Sequence, residues 1–483
     1  VSKFQLAPSW PENWREGLNP QDLSTNNERQ DNRDIDFITI DAASTMDMDD
    51  ALYARQIDDG WELQVAIADP GTYIVEHSPL DKLAEQRGTS VYMPGKTVPM
   101  LPAELANDLC SLTAGEDRPA LLCTMMINSQ GDIVDFSIGE SLIRSRAKLS
   151  YHDVAAFLDK SDTDILLDNS VHGETLKALQ AAATQLHDNR RQNNLVIPSR
   201  PDYRMLLNPK GKLERIEEQT KSSAHLLVEE CMVAANRCAA NLLGENGVFV
   251  SHPGFRRERL PDVCKLAEEQ LSLSDIDASS PDGYRQLINA IDDQSLEFPL
   301  RDVLSRLLER ARLHSQRVPH YGMGMEAYTS FTSPIRKYSD LLVHRLIKAK
   351  LKRTPADSIS QERLDTIQQS LDQTRLARSQ MEQWLKCQFM EGLKNQQLSG
   401  TVSQVNSSGF TVRLNDSLIE GFVETRTLPE KFSFDPMRMR LKSKSLAVEL
   451  NQAIEVVVQE VDSNKRSIRF TLPQPKEAGK TAA

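Results

Sequence analysis

The chain has 483 residues, 39% of them hydrophobic and 26% charged, enough apolar material for a large core and for roughly two to four domains. Its net charge of −12 excludes a protein that coats nucleic acid with a uniformly basic surface, because affinity for phosphate backbones comes from Lys and Arg, so any such ligand must follow a local basic groove. Six scattered cysteines without a Cys-x-x-Cys pair, nine histidines without metal spacing, no signal-peptide pattern and no apolar run near the ~18 residues of a membrane span argue against a disulfide scaffold, a zinc site and a membrane protein, and for a cytoplasmic one.

Residues 1–34 carry Pro8, Pro11 and Pro20 and the polar run 24–32, and read as an irregular lead-in or linker. From about 35 to 395 strand-like and helical runs alternate, which predicts one α/β (α+β) catalytic domain, a mixed sheet with surrounding helices. Phe37-Ile38-Thr39-Ile40 is β-branched and aromatic, and Ala51–Ile57 leads through Asp58-Asp59-Gly60 into Trp61–Ala68, a hairpin pattern. Between these strands Asp41, Asp47, Asp49 and Asp50 put four carboxylates within ten residues. Like charges so close raise one another's pKa unless cations hold the ionised forms, and hard divalent ions take such oxygen ligands. Two ions about 3.5–4 Å apart would form the clamp used in phosphoryl displacement. An EF-hand is excluded, since counting from Asp47 the sixth position is Leu52 where glycine is required. A solvated acidic loop fits less well, because Ile40, Met46, Met48, Ala51 and Leu52 interleave the acids and imply partial burial.

Further along, Tyr92 precedes Met93-Pro94-Gly95 in a turn-rich stretch and is either a packed ring or a platform for a base. Residues 171–196 read as a helix whose Arg190 and Arg191 solvate a polar face. In the helix around 226–233 the adjacent acids Glu229 and Glu230 diverge by about 100° and cannot easily share a ligand. Ser333-Pro334 reads as a helix start, with Arg336 and Lys337 in the first turn, where the dipole disfavours cations and an anionic partner would resolve the conflict. Residues 359–395 form a long amphipathic helix. From Ser399 the pattern changes to short alternating strands, a five-stranded OB barrel over 396–473 in which Phe410 and Phe422 are base platforms or core. There Arg438, Arg440, Lys442 and Lys444 read as four cations on one face of an extended edge, and 474–483 as a disordered tail.

The series TIDAASTMDMDDAL (39–52), VAIADP (65–70), YMPG (92–95), MLPAELANDLCSL (100–112), RPDY (200–203), LVEECMVAAN (227–236) and YTSFTSPIRKYSDLLVHRL (328–346) resembles the ribonuclease II family, motif by motif and in order. The resemblance implies a processive, Mg²⁺-dependent exoribonuclease, with one or two ions and Mn²⁺ as a substitute, that degrades single-stranded RNA from its 3′ end to nucleoside 5′-monophosphates. It implies metal ligation by Asp41, Asp47 and Asp50, water activation by Asp49, and a phosphate grip by Arg336, with Lys337 on a neighbouring phosphate. Tyr92 would stack on a base, and Glu229 would accept from a ribose 2′-hydroxyl. Ile197 stands where many relatives have an aromatic that clamps the terminal bases, and can wedge but not stack. Ala377-Arg378-Ser379 replaces a common Ala-Glu-Arg, and the two amino-terminal cold-shock-type domains usual in relatives have no counterpart in this sequence. A monomer is expected. The alternative is a catalytically inactive RNA-binding protein of the same fold, which would arise by loss of a carboxylate; all four are present.

Overall fold

The run Trp61–Ala68 becomes a central strand of a seven-stranded sheet, buried from Glu62 onward, with Trp61, Leu63, Val65 and Ile67 on one face and Glu62, Gln64, Ala66 and Ala68 on the other. The computed structural model describes residues 10–19, 28–159, 170–196, 202–292, 294, 296–355 and 358–473. The sheet order is Gln30–Asp31, Ile133–Arg144, Asp117–Asn128, Gly60–Ala68, Asp50–Ile57, Ile38–Asp41, Ala147–Ser150. The two outermost pairings are parallel and the four between them antiparallel, so the sheet is mixed as expected. The hairpin turn at Asp58-Asp59 closes on Gly60, whose φ is +134° and where a Cβ would lie 1.9 Å from the Ile127 carbonyl oxygen; only glycine fits.

Helices Ser170–Asn193, Ser223–Leu243 and Tyr338–Lys352 share one apolar core with this sheet. Lys350 and Lys352 in the last turn of the third suit the dipole there. Residues 28–34 belong to the same unit despite their polar sequence: Gln30–Asp31 pairs along Ser141-Leu142, and Arg29 is buried against Asp69 at 2.7 Å. Asp69 also meets Lys348 at 2.7 Å, so a buried ion cluster ties the lead-in to the sheet and to helix Tyr338–Lys352.

The carboxy-terminal strands Gln397–Asn406, Gly409–Leu414, Glu420–Glu424, Ser467–Thr471 and Ala453–Asp462 close into the expected barrel. Phe410 is fully buried inside it and Phe422 half-buried, which settles the choice for Phe410 as core. The barrel core is continuous with helices Leu260–Leu271, Pro281–Asp292 and Leu300–Ser305 and with the end of helix Gln361–Met390. The edge expected over 438–444 is shorter: only Arg440–Lys442 is strand, and Arg438 turns away to pair with Glu269 of helix Leu260–Leu271. Ile197 and residues 474–483 lie outside the described residues.

Candidate active site

The acidic stretch is a short crossing between two neighbouring strands, so its ends are fixed by the sheet. Asp41 closes strand Ile38–Asp41 and Asp50 opens strand Asp50–Ile57. The middle is held by a residue that the motif analysis did not single out. Ser111, fully buried, accepts from the Met48 N–H at 3.1 Å and donates to the Met46 carbonyl at 2.8 Å. The Ala68 N–H donates to the Asp49 carbonyl at 2.8 Å. With Met46, Met48 and Asp49 thus pinned, Met48 and Asp49 point inward while Met46 is exposed.

The second half of the site comes from residues nearly three hundred positions away. The Ile335 N–H donates to Asp49 Oδ1 at 2.9 Å, and Arg336 Nε donates to Asp49 Oδ2 at 3.0 Å. The two terminal nitrogens of Arg336 carry no hydrogen bond among the described residues, and its side chain is half-exposed. Tyr92 donates its hydroxyl to Asp47 Oδ2 at 2.8 Å and keeps an exposed ring.

Ser333-Pro334 does not start the helix, contrary to the sequence reading: residues 333–336 form a turn, and the helix begins at Tyr338 with Lys337 as its N-cap. The reason is where the backbone bonds go. The Arg336 carbonyl accepts from the Ser90 N–H at 2.9 Å and the Thr89 hydroxyl at 2.8 Å, and the Tyr338 N–H donates to the Gly88 carbonyl at 2.9 Å. Asp340, buried, clamps the turn from below, accepting from the Ser333 N–H at 3.0 Å and the Ser330 hydroxyl at 2.7 Å. Its signal in the sequence is an acid in the first turn of a helix, which is too common to single out.

Burial drives the electrostatics. It pushes the Asp49 carboxyl up to about 7 against the pull of Arg336 and the Ile335 N–H. Burial raises Asp41 to about 6, opposed by Lys148, and burial followed by Asp41 and Asp49 holds Asp50 well above the usual carboxylate range. Asp41 Oδ2 is a buried acceptor with no hydrogen-bond partner. Among the described residues, however, no three His, Cys, Asp or Glu side chains converge as a ligand set, so the expected trio Asp41, Asp47 and Asp50 does not stand as a preformed cage. Asp47 is instead occupied by Tyr92. The orphaned oxygen of Asp41 beside the crowded Asp50 still fits a hard cation, since Mg²⁺ is ordinarily held by one or two carboxylates together with waters and substrate phosphate.

Lys337 and Tyr92 line one groove of about 370 Å³ that continues past Arg312, Arg375 and Arg378, the last two paired at the surface with Asp372 and Glu382. Glu229 is half-exposed and ion-paired with Lys221, whereas its neighbour Glu230 is buried between Arg190, at 2.6 Å, and His187, at 2.7 Å. Arg190 is therefore a core ion-pair partner and not the solvating charge read from the sequence. Beside the acids, Tyr151 stacks on His225 of helix Ser223–Leu243 with centroids 4.0 Å apart, a pair that sequence reasoning missed.

An RNB domain over residues 29–353 followed by an S1 RNA binding domain over 393–472 places the chain among RNA-directed nucleases of this architecture. Exoribonuclease 2 of Haemophilus influenzae (strain PittGG) is 33% identical over 501 residues, covering 96% of this chain and 75% of that protein. The chain belongs to the ribonuclease II family. Two solved structures share the fold: Mycoplasma genitalium RNase R in complex with ribose methylated single-stranded RNA (TM-score 0.85, 24% identity, 97% of this chain and 76% of that one) and yeast Ssd1, a pseudonuclease (TM-score 0.68, 21% identity, 92% and 55%). No helix among the described residues is long and apolar enough to cross a membrane.

Proposed function

We propose that this chain is a hydrolytic 3′-to-5′ exoribonuclease that shortens single-stranded RNA and releases nucleoside 5′-monophosphates. One contact carries the reading: Asp49 receives both the Ile335 N–H and the Arg336 guanidinium, which joins the acidic loop to the arginine turn across 287 positions of sequence. Because Ssd1 shares the fold and is a pseudonuclease, the fold alone decides nothing about activity. The side chains carry that argument, and all four carboxylates are present.

Asp41 and Asp50 would hold Mg²⁺, or Mn²⁺ in its place, with Asp47 able to join once Tyr92 turns onto a base. When bound, the cation supplies positive charge to the attacking and leaving oxygens. Asp49 has lone pairs to spare beyond its two donors, and orients and deprotonates the attacking water. The free fork of Arg336 grips the scissile phosphate and stabilises the charge that builds up on it. In-line attack expels the upstream RNA as its 3′-hydroxyl and leaves the phosphate on the 5′ oxygen of the departing nucleoside. Lys337 and the groove arginines neutralise neighbouring phosphates, Tyr92 stacks a base, and Glu229 accepts from a ribose 2′-hydroxyl.

A 5′-labelled single-stranded oligoribonucleotide tests this directly. The expected result is a ladder descending one nucleotide at a time with Mg²⁺, abolished by chelator and by Asp49→Asn. A ladder indifferent to both would overturn the reading.

A further inference from the structure

Outside this site a cavity of about 510 Å³ lies at the meeting of helices Ser170–Asn193, Ser223–Leu243 and Pro281–Asp292 with the segment 317–327. None of its lining residues belongs to the acidic loop, the 333–337 turn or the groove of Tyr92 and Lys337. Arg237, Arg285 and Arg317 all line it. Arg237 makes no hydrogen bond or ion pair among the described residues. Arg317 reaches Asn241 Oδ1 only at 3.4 Å and Glu326 only at 4.0 Å, while Arg285 donates to the Asn193 carbonyl at 2.9 Å and reaches Asp282 at 3.3 Å.

The two acids in the lining do not neutralise the three cations, because they face water: the side chains of Asp282 and Glu326 are 90% and 94% exposed, those of Arg285 and Arg317 only 38% and 24%. A cavity that gathers guanidinium groups and turns its carboxylates outward is poised for an anion, by the same reasoning of opposite sign that applies to the acidic loop. The planar forks of arginine match phosphate oxygens, and Pro319 and Met325 add apolar wall beside them.

We propose that Arg237, Arg285 and Arg317 form a second site, separate from the catalytic one, that binds a phosphate ester of a nucleotide. The phosphate follows from the arginines; that the ester is a nucleotide rests on the exoribonuclease reading, which supplies two sources, a released nucleoside 5′-monophosphate and the RNA itself.

Calorimetric titration of the full chain in chelator, with 5′-AMP in one arm and a single-stranded oligoribonucleotide in the other, separates the sources while keeping cleavage silent. Wild type is expected to bind 5′-AMP. Arg237→Gln/Arg317→Gln is expected to weaken binding by at least about tenfold, for the loss of two charge-assisted contacts. Asn241→Asp, which places a new negative charge in the lining and keeps all three arginines, is expected to weaken it as well and serves where the double variant does not fold. Arginine-dependent binding of the oligonucleotide alone would identify RNA as the occupant and keep the site. Unchanged affinity in both variants, or no binding of either ligand by wild type, would overturn it. Loss of the Mg²⁺-dependent ladder with arginine-dependent binding intact would instead sink the exoribonuclease reading and leave the phosphate site standing.

Discussion

The Arg336 turn and the rim of the barrel both display runs of cations in the sequence, and the structure uses them in different ways. At the turn, one nitrogen of Arg336 is fixed on buried Asp49 and the other two stay free for a ligand. At the rim, Arg438 is taken up by Glu269 and Asp435 and Arg440 by Glu449, while Lys442 and Lys444 are exposed and make no ion pair among the described residues. A charge aimed by a buried partner has one geometry, whereas a charge paired at the surface is shielded by water and contributes little. Cations therefore report function only when the partner's burial is known.

The sharpest way to break this comparison is at Asp49. Asp49→Asn keeps the shape and the bond from the Ile335 N–H but removes the proton acceptor and the ion pair, and single-turnover assays should show a loss of about 10³-fold or more with RNA retention on filters preserved. Arg336→Lys preserves charge but not the fork. It should lower kcat by about 10²-fold, some 2.7 kcal/mol, with a smaller change in KM, measured on a short oligonucleotide.

The buried cluster at Asp69 extends the contrast to stability. Burial alone would raise the Asp69 carboxyl, yet Lys348 and Arg29 outweigh it and hold it well below the usual carboxylate range. A depressed folded-state pKa contributes stability that is fully present above the unfolded value of about 3.9 and is lost as pH falls below it. Urea midpoints should therefore fall steeply below about pH 4. Asp69→Asn should flatten that acid slope and cost about 3 kcal/mol at neutral pH, because buried Arg29 and half-buried Lys348 lose their nearest carboxylate and keep only Glu140, at 3.3 and 3.5 Å.

Tyr92→Phe removes only the hydroxyl on Asp47 and keeps the ring, whereas Tyr92→Ala removes both. If the ring stacks, the second change should weaken binding of an oligonucleotide by about 1–3 kcal/mol in a chelator-containing titration, and the first by clearly less. The smallest effects belong to the rim. Lys442→Gln/Lys444→Gln should reduce the salt dependence of RNA binding by roughly one to two counterions, while Arg438→Gln should leave that slope unchanged and cost no more than about 1 kcal/mol of stability. An equal change of slope from Arg438 would erase the distinction between paired and free cations.

Much of this arrangement was legible in the chain itself. Four aspartates among apolar residues announce a partly buried acidic loop, and local alternation is enough to place such a loop between strands. The change to short alternating segments after Ser399 likewise announced a barrel through turn chemistry and period alone. What could not be read was anything that depended on a distant partner. Ser333-Pro334 has the composition of a helix start, yet Thr89 and Ser90 claim the Arg336 carbonyl and keep the turn outside the helix. Arg190 has the composition of a solvated residue, yet Glu230 buries it.

The sequence by itself determined most of the strand and helix segments and which residue types gather at the acidic loop, because propensity, period and like-charge crowding are local. Only the tertiary structure decided which cation meets which acid, since hydrogen bonds act over about 3 Å and the groups they join, Asp49 with Arg336 and Arg438 with Glu269, stand far apart along the chain.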